Sequence, residues 1–238
     1  MREESVEIAT PDGKADGSLY GEGPGVLYYP HGLGVDEGFH IMAKRLAGDG
    51  YCVLMPNIYY RHMKAGPAFA EPVDFADPKV RERFRELSGA LTLEAMARDA
   101  LAYLDFLGGE VKGQVAAVGY CLTGKMTMRT AAAAPDRIAC AASFHGGGLY
   151  TDDASSPHLL LPRITARLYF GHATNDQGMT ADAIAKFEAA LAAWGGRYES
   201  ETYPALHGWT VPGGRVYDHA QAERHYAKLT ELLERTLR

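Results

Sequence analysis

Short runs of apolar residues alternate along the chain with longer segments in which apolar residues recur every three or four positions. Each short run predicts a buried strand, and each longer segment predicts an amphipathic helix. These runs predict strands at Gly25–Tyr29, Tyr51–Met55, Gln114–Val118, Ile138–Phe144 and Arg167–Phe170, and Tyr198–Tyr203 is predicted as a last, more polar strand. The first predicted helix begins near Gly38. Four more are predicted at Leu91–Leu107, Lys125–Ala134, Thr180–Trp194 and about Tyr217 to Leu237. This alternation predicts one α/β domain over residues 1–238, with a mostly parallel sheet covered by helices on both faces.

One segment, residues 56–90, departs from this alternation. It contains four prolines and the charged run Lys79–Arg83 between the second predicted strand and the next helix. A connection of this length inside a compact domain is usually functional or mobile. Two interpretations remain open: a lid or substrate wall, or a packed excursion with a short surface helix.

The composition of the chain excludes several classes of protein. The chain is 47% hydrophobic and 23% charged, as is typical of a globular domain. Its net charge of −6 argues against nucleic-acid binding as the main role, and no apolar run is long enough to cross a membrane. The acidic N-terminus has no apolar signal core, and the three cysteines do not suit a disulfide framework. We therefore expect a cytoplasmic monomer or homodimer with at least one free thiol.

The strongest local motif is Gly-Tyr-Cys-Leu-Thr-Gly at Gly119–Gly124, directly between a predicted strand and a predicted helix. A strand-to-helix turn of the form Gly-x-nucleophile-x-small holds its central residue in a tight, exposed bend. Cys121 would then lie at a helix N-terminus, where free amides favour the thiolate. Cys52 and Cys140 fall inside apolar strands and are expected to be inert.

The same glycines partly match a phosphate-binding loop, Gly-x-x-x-x-Gly-Lys, ending at Lys125. That loop needs Ser or Thr as its next residue to hold Mg²⁺, whereas this chain has Met126. The sequence therefore favours a nucleophile over a phosphate site.

A thiol nucleophile needs a base and an acid that orients the base. Asp176 follows the predicted strand Arg167–Phe170, and His207 follows Tyr198–Tyr203. Both are thus predicted at carboxyl strand ends, the edge at which parallel sheets place their chemistry. The chain order of nucleophile, acid and histidine is that of α/β-hydrolases.

With these residues the chain resembles the dienelactone hydrolase family. The resemblance covers nearly the whole chain, from about Ala9 to the last helix. It depends on Gly119–Gly124, Asp176 in its loop, His-Gly-Trp at His207–Trp209, and the stretch from Met42 to Asn57 with Tyr60 and Arg61 after it.

The resemblance implies an α/β-hydrolase fold and hydrolysis of an activated ester or enol-lactone, a small-molecule substrate, with no cofactor. It implies that Cys121 attacks, that His207 transfers the proton and that Asp176 orients the imidazole. It also implies an oxyanion hole made of the Leu122 amide and a second amide, from Gly32 or Leu33.

Several positions bear on the substrate. His31 stands where well-studied members have a Glu, so it is expected to hydrogen-bond the substrate or the thiolate. Arg81 or Arg85 falls near an arginine that holds a substrate carboxylate in those members, but the second such arginine has no counterpart in register. Trp209, beside His207, is a further candidate for substrate binding. Thr123 replaces a customary glycine, which tightens the turn. These departures argue against dienelactone itself as the natural substrate.

The sequence also allows three other interpretations. The run His145–Gly148 resembles an oxyanion signature of lipases, but it follows the nucleophile instead of preceding it, so a structural role is favoured. Four histidines near the same sheet edge could bind Zn²⁺, although none has a short ligand spacing; they are His31, His145, His172 and His207. A non-catalytic binding protein of hydrolase-like fold is the remaining alternative.

Overall fold

A single eight-stranded sheet organises the chain, and its strands follow the order β1-β2-β4-β3-β5-β6-β7-β8 in the computed structural model, which describes residues 1–238. The strands are β1 (Glu3–Thr10), β2 (Gly13–Tyr20), β3 (Gly25–Tyr29), β4 (Cys52–Pro56), β5 (Val115–Tyr120), β6 (Ile138–Phe144), β7 (Arg167–Ala173) and β8 (Tyr198–Tyr203). β2 runs antiparallel to both β1 and β4, and all other neighbours are parallel. The expected mostly parallel sheet is confirmed.

Six helices cover the sheet: α1 (Glu37–Gly48), α2 (Pro78–Gly89), α3 (Leu93–Glu110), α4 (Gly124–Ala133), α5 (Ala181–Trp194) and α6 (His219–Leu237). Apolar residues of α1 and α6 pack on one face of the sheet, and those of α3, α4 and α5 pack on the other. The central strands β3, β4 and β5 are buried along their whole length, which explains why they appear in the sequence as continuous apolar runs.

The N-terminal hairpin of β1 and β2 was not predicted. β1 is largely exposed, and its sequence Glu-Glu-Ser-Val-Glu-Ile-Ala-Thr carries too few apolar residues to stand out as a strand. β1 lies at the edge of the sheet, and its backbone hydrogen bonds with β2 hold it there. Its composition alone does not indicate a strand.

Residues 56–90 contain one helix, α2, with Pro78 in its first turn and Asp77 as its N-cap. The Asp77 carboxylate accepts a hydrogen bond from the Lys79 amide at 2.8 Å. The ring of Phe84 on this helix lies beside Gly32, because a Cβ added to that glycine would be 3.0 Å from Cε2 of the ring. The segment therefore reaches the turn that follows β3.

None of the helices combines the length and the apolar character that crossing a lipid bilayer requires.

Candidate active site

The three residues expected to form a triad lie in loops at one edge of the sheet. Cys121 follows β5 directly, Asp176 lies in the loop after β7, and His207 lies in the loop after β8. Since β5, β7 and β8 run parallel within one sheet, their carboxyl ends open onto the same edge. The structure brings these three side chains together.

Cys121 lies at a sharp turn in which the strand passes at once into a short 3-10 helix and then into α4. Its φ of 55° is in the left-handed region, a strained conformation for a residue with a side chain. A Cβ at Gly119 would lie 2.6 Å from the Thr123 carbonyl oxygen, and one at Gly124 would lie 2.7 Å from the Gly146 Cα. Close backbone approach therefore requires both glycines.

Thr123 is fully buried, and its hydroxyl stabilises the turn. The hydroxyl accepts a hydrogen bond from the Tyr120 amide at 2.9 Å and lies 2.9 Å from the Tyr120 carbonyl, to which it can donate. A β-branched residue is accommodated here because its polar atom replaces hydrogen bonds that the bend would otherwise leave unmade.

The imidazole of His207 is held by a carboxylate. Its Nδ1 lies 2.6 Å from Oδ2 of Asp176, whose side chain is only 5% exposed. The other carboxylate oxygen of Asp176 accepts the Gly178 amide at 2.7 Å, which fixes the orientation of the carboxylate. This geometry assigns the ring proton to Nδ1 and turns Nε2 away from Asp176.

The thiol and the imidazole form an electrostatically coupled pair. Burial alone would raise the pKa of Cys121, but a hydrogen bond with His207, the charge of His207, and the amides of Leu122 and Gly32 together lower it. Burial would lower the pKa of His207, but its hydrogen bonds with Asp176 and Cys121 outweigh burial and raise it. Both directions favour a thiolate beside an imidazolium ion.

Of the three expected oxyanion donors, the amides of Leu122 and Gly32 both contribute to lowering the pKa of the Cys121 thiol. The Leu33 carbonyl accepts the Ala68 amide at 2.8 Å, so that residue is tied to the segment after β4. Of the two candidates for the second donor, the effect on the pKa of Cys121 favours Gly32.

The glycine run Gly146–Gly148 contacts both the Cys121 turn and the Asp176 loop. Gly147 donates its amide to the Cys121 carbonyl at 3.3 Å, and Gly148 donates to the Gly178 carbonyl at 2.8 Å. This is a structural use of the run, in line with the interpretation favoured from the sequence.

His31 lies in the turn after β3, beside Asp36 and Phe39. Its Nε2 lies 3.0 Å from Oδ2 of Asp36, and its ring packs on Phe39 with centroids 4.7 Å apart. Asp36 is also the N-cap of α1, accepting the Phe39 amide at 3.0 Å. His31 therefore links the turn after β3 to α1 instead of bonding to the thiolate.

The arginines and the tryptophan expected to bind substrate have different surroundings: the arginines are exposed and the tryptophan is buried. Both arginines lie on exposed parts of α2, and the guanidinium of Arg81 donates to the carbonyls of Phe75 and Ala76, each at 2.7 Å. Trp209 has no exposed surface, because its ring stacks on Tyr203 at 4.8 Å. Trp209 therefore packs beneath the loop that carries His207, and none of its surface is accessible to a ligand.

Two residues near the site make contacts that the sequence did not predict. The ring of His145 packs against His207 at 4.9 Å between centroids, and its Nε2 lies 3.0 Å from the Thr210 hydroxyl. Burial, followed by the charge of His207, lowers the pKa of His145 well below its usual value. The hydroxyl of Tyr59 donates to the Gly32 carbonyl at 2.9 Å. No local motif could have indicated either contact.

The four histidines at this edge have separate partners. Besides the contacts of His31, His145 and His207, the Nε2 of His172 lies 3.1 Å from the Ser200 hydroxyl. No three His, Cys, Asp or Glu side chains come together as a ligand set. The arrangement gives no support to the zinc alternative.

The model of the dienelactone hydrolase family matches residues 9–237, almost the entire chain. The chain belongs to the dienelactone hydrolase family. It is accordingly a hydrolase with the α/β-hydrolase fold, as the order of nucleophile, acid and histidine predicted.

Individual relatives agree with this assignment. The chain is 25% identical over 243 residues to carboxymethylenebutenolidase 1 of Cupriavidus pinatubonensis, covering 98% of this chain and 97% of that protein. A Klebsiella pneumoniae protein crystallised and assigned as a dienelactone hydrolase superposes with a TM-score of 0.84 at 19% identity, over 98% of both chains. A dienelactone hydrolase-like promiscuous phosphotriesterase, P91, from metagenomic libraries superposes with a TM-score of 0.76 at 21% identity, over 100% of both chains. At these identities the two structures indicate the fold alone.

Proposed function

We propose that the protein hydrolyses activated carboxylic esters or lactones through a thioester on Cys121, with His207 as the proton carrier and Asp176 as its orienting acid. The observation that carries the proposal is the arrangement of the three side chains. The Asp176 carboxylate lies 2.6 Å from His207, and the His207 imidazole and the Cys121 thiol are close enough to shift each other's pKa. Family membership supports the reaction class, and the name of the Cupriavidus relative supports lactones as substrates.

In the first half of the reaction, the thiolate of Cys121 adds to the carbonyl carbon and the carbonyl oxygen becomes an oxyanion. The amides of Leu122 and Gly32, which act on the sulfur of the resting enzyme, are the donors available to that oxyanion. As the C–O bond breaks, the His207 imidazolium gives its proton to the departing oxygen. The products are a thioester and the free alcohol or, for a lactone, the opened chain.

In the second half, neutral His207 removes a proton from water as the water adds to the thioester carbonyl. Collapse of this adduct expels the Cys121 thiolate, releases the acid and restores the thiolate–imidazolium pair. The sum is one water consumed for each ester bond, so the reaction requires no oxidant, reductant or cofactor. Thiolates suit substrates with good leaving groups, so simple amides should react slowly.

Two positively charged side chains near Cys121 affect which substrates the site favours. Lys125 and Arg129 lie one turn apart on α4, half-buried, and burial lowers the pKa of both. Arg129 donates to the Ser155 carbonyl at 2.7 Å instead of to a carboxylate, and Lys125 is near enough to Cys121 for their charges to interact. This uncompensated positive charge favours substrates that carry an anionic group.

Turnover of an aryl acetate and of an enol-lactone, each with and without a carboxylate, tests the proposal. Cys121→Ala and His207→Ala should each reduce kcat/KM by at least about 10³-fold, because neither half-reaction proceeds without them. Cys52→Ala, which removes a buried thiol away from the site, is the matched control and should retain activity. Activity near that of the wild type in Cys121→Ala would remove the thioester from the mechanism.

A further inference from the structure

His145 is a buried histidine beside the triad that the proposed reaction does not use. It follows β6 directly and is 1% exposed. Its φ of 39° lies in the left-handed region, which a residue with a side chain seldom adopts. Backbone strain of this kind persists where the surrounding structure enforces it, and it is frequent at functional sites. The contacts of His145 lead to the loops that carry the triad.

The backbone at His145 joins two of these loops. The His145 amide donates to the Gly171 carbonyl at 2.7 Å, near the end of β7, the strand that leads to Asp176. Gly147 donates its amide to the Cys121 carbonyl at 3.3 Å. The location of the His145 ring is thus set by backbone that contacts both the nucleophile turn and the strand before the acid.

The side chain of His145 reaches the third loop, which carries His207. Its Nε2 lies 3.0 Å from the hydroxyl of Thr210, three residues after His207. Its ring centroid lies 4.9 Å from that of His207 and 5.0 Å from that of Trp209. The ring is therefore held by Thr210 and Trp209 while it packs against the imidazole of His207.

The His145 ring is neutral. A protonated imidazole has an N–H donor at each nitrogen, but Nδ1 of His145 is buried without a hydrogen-bond partner. Burial, followed by the charge of His207, lowers the pKa of His145 well below its usual value. A second positive charge this close would oppose the His207 imidazolium on which the proposed reaction depends. His145 therefore packs against His207 without adding a charge to the site.

The titratable groups around His145 come from several elements. His207 lies in the loop after β8, His31 in the turn after β3 and His225 on α6, and positive charge on any of them lowers the pKa of His145. The ring of Tyr120, at the end of β5, lies 5.8 Å away and stays uncharged because burial raises its pKa. None of these groups favours a positive charge on the His145 ring.

We propose that His145 is a positioning residue for His207, because its neutral ring packs against the His207 imidazole and holds that ring between Asp176 and Cys121. The bond to Asp176 fixes only Nδ1 of His207, so the ring could still pivot about that bond, and a small misplacement of a proton carrier lowers the rate. This inference rests on the proposed function and adds to it the residue that holds the proton carrier. His145 acts through His207 and not through contact with the substrate.

The test compares His145→Ala and His145→Phe with the control His172→Ala. His172 is equally buried and its Nε2 also lies beside a hydroxyl, that of Ser200, but its ring neighbours are two phenylalanines instead of His207. With an aryl acetate, His145→Ala should lower kcat about tenfold and leave KM within about twofold, because the substrate contacts are unchanged. His145→Phe keeps a ring beside His207 and should retain kcat within about threefold of the wild type. His172→Ala should change each constant by no more than about twofold.

A second measurement does not depend on turnover. The rate at which iodoacetamide alkylates Cys121 is followed against pH in the wild type and in the three variants. Because His207 lowers the pKa of Cys121, a displaced imidazole in His145→Ala should raise the apparent pKa of this thiol. His145→Phe and His172→Ala should leave it near the wild-type value. Thermal melts check that each variant is folded at the assay temperature.

His145→Ala with kcat and thiol pKa both equal to those of His172→Ala would overturn the inference. Equal losses in His145→Ala and His145→Phe would also contradict it, because the effect would then depend on the bond to Thr210 and not on the ring contact. If the wild type hydrolyses no ester or lactone, the proposed function fails, while the alkylation profiles still decide whether His145 holds His207 beside the thiol.

Discussion

The three cysteines differ in reactivity because of their immediate surroundings. Cys52 and Cys140 lie in buried strands, where burial raises the pKa of Cys52 and raises that of Cys140 to about 12. Cys121 is half-buried, and an imidazole and two amides lower its pKa against the effect of burial. The contrast therefore depends on what each sulfur contacts as well as on how deeply it is buried.

This contrast predicts a pH dependence. Because the pKa of Cys121 lies below the ordinary thiol value, its alkylation by iodoacetamide should persist at neutral pH and fall only as the pH drops through that lowered pKa. Asp176→Asn keeps an oxygen for the Gly178 amide but removes the charge that raises the pKa of His207. The pKa of Cys121 should then rise, and alkylation at pH 7 should slow by about tenfold, equivalent to about one pKa unit.

Asp182→Asn is the control for this measurement, because that carboxylate pairs only with Lys186 on the exposed face of α5. Equal alkylation rates for Asp176→Asn and Asp182→Asn would show that the carboxylate at 176 does not govern the thiol.

At the scale of elements, the junction of β5 and α4 places strict limits on which residues can occupy it. The strand ends and the helix starts within a few residues, and Cys121 is left at the point of the bend with a positive φ. Gly119 and Gly124 permit this because each faces backbone atoms too close for a methyl group. The motif visible in the sequence is thus a packing requirement as well as a chemical one.

Gly119→Ala should therefore destabilise the protein by about 1–3 kcal/mol, the usual cost of overpacking a rigid site, and should lower hydrolysis because the Cys121 turn must move. Gly109→Ala is the comparison, since a Cβ at that position in α3 meets nothing within 4 Å. It should be neutral or stabilising by up to about 1 kcal/mol. Urea unfolding measures both, and equal free energies of unfolding for the two variants would contradict the packing argument.

Across the whole molecule, a buried ion pair joins parts of the chain that are distant in sequence. Arg61, after β4, donates through NH1 and NH2 to both carboxylate oxygens of Asp99 on α3, each at 2.8 Å. Arg61 also donates to Asp12, in the turn of the β1–β2 hairpin, at 2.6 Å. These bonds fix the segment that contains Tyr59 against α3 and the hairpin.

Because the Asp99 side chain is only 2% exposed, removing Arg61 leaves a buried carboxylate without its ion-pair partner, whereas removing Asp99 leaves Arg61 still paired with Asp12. Arg61→Met should therefore cost about 3–5 kcal/mol of unfolding free energy, Asp99→Leu should cost less, and the double variant should cost less than the sum of the two. Lys186→Met, which breaks the exposed pair with Asp182, should change stability by no more than about 0.5 kcal/mol. Strict additivity in urea unfolding would show that Arg61 and Asp99 do not act as a pair.

The sequence by itself determined the central elements and the order of the chemistry. The spans Gly25–Tyr29 and Ile138–Phe144 match β3 and β6, because burial on both faces of a strand leaves a continuous apolar run in its sequence. The span Tyr198–Tyr203 also matches β8, although this edge strand is only partly buried. The positions of Cys121, Asp176 and His207 after strands were also evident, since parallel topology sends such loops to one edge.

Only the tertiary structure decided the contacts between distant residues. It paired His31 with Asp36, buried Trp209 against Tyr203, and set the Tyr59 hydroxyl on the Gly32 carbonyl. Positions 32 and 59 are 27 residues apart, and no periodicity or motif encodes the direction of a hydroxyl across that distance. Local pattern reflects which residues are buried, whereas partners and peptide orientation depend on how the buried elements meet.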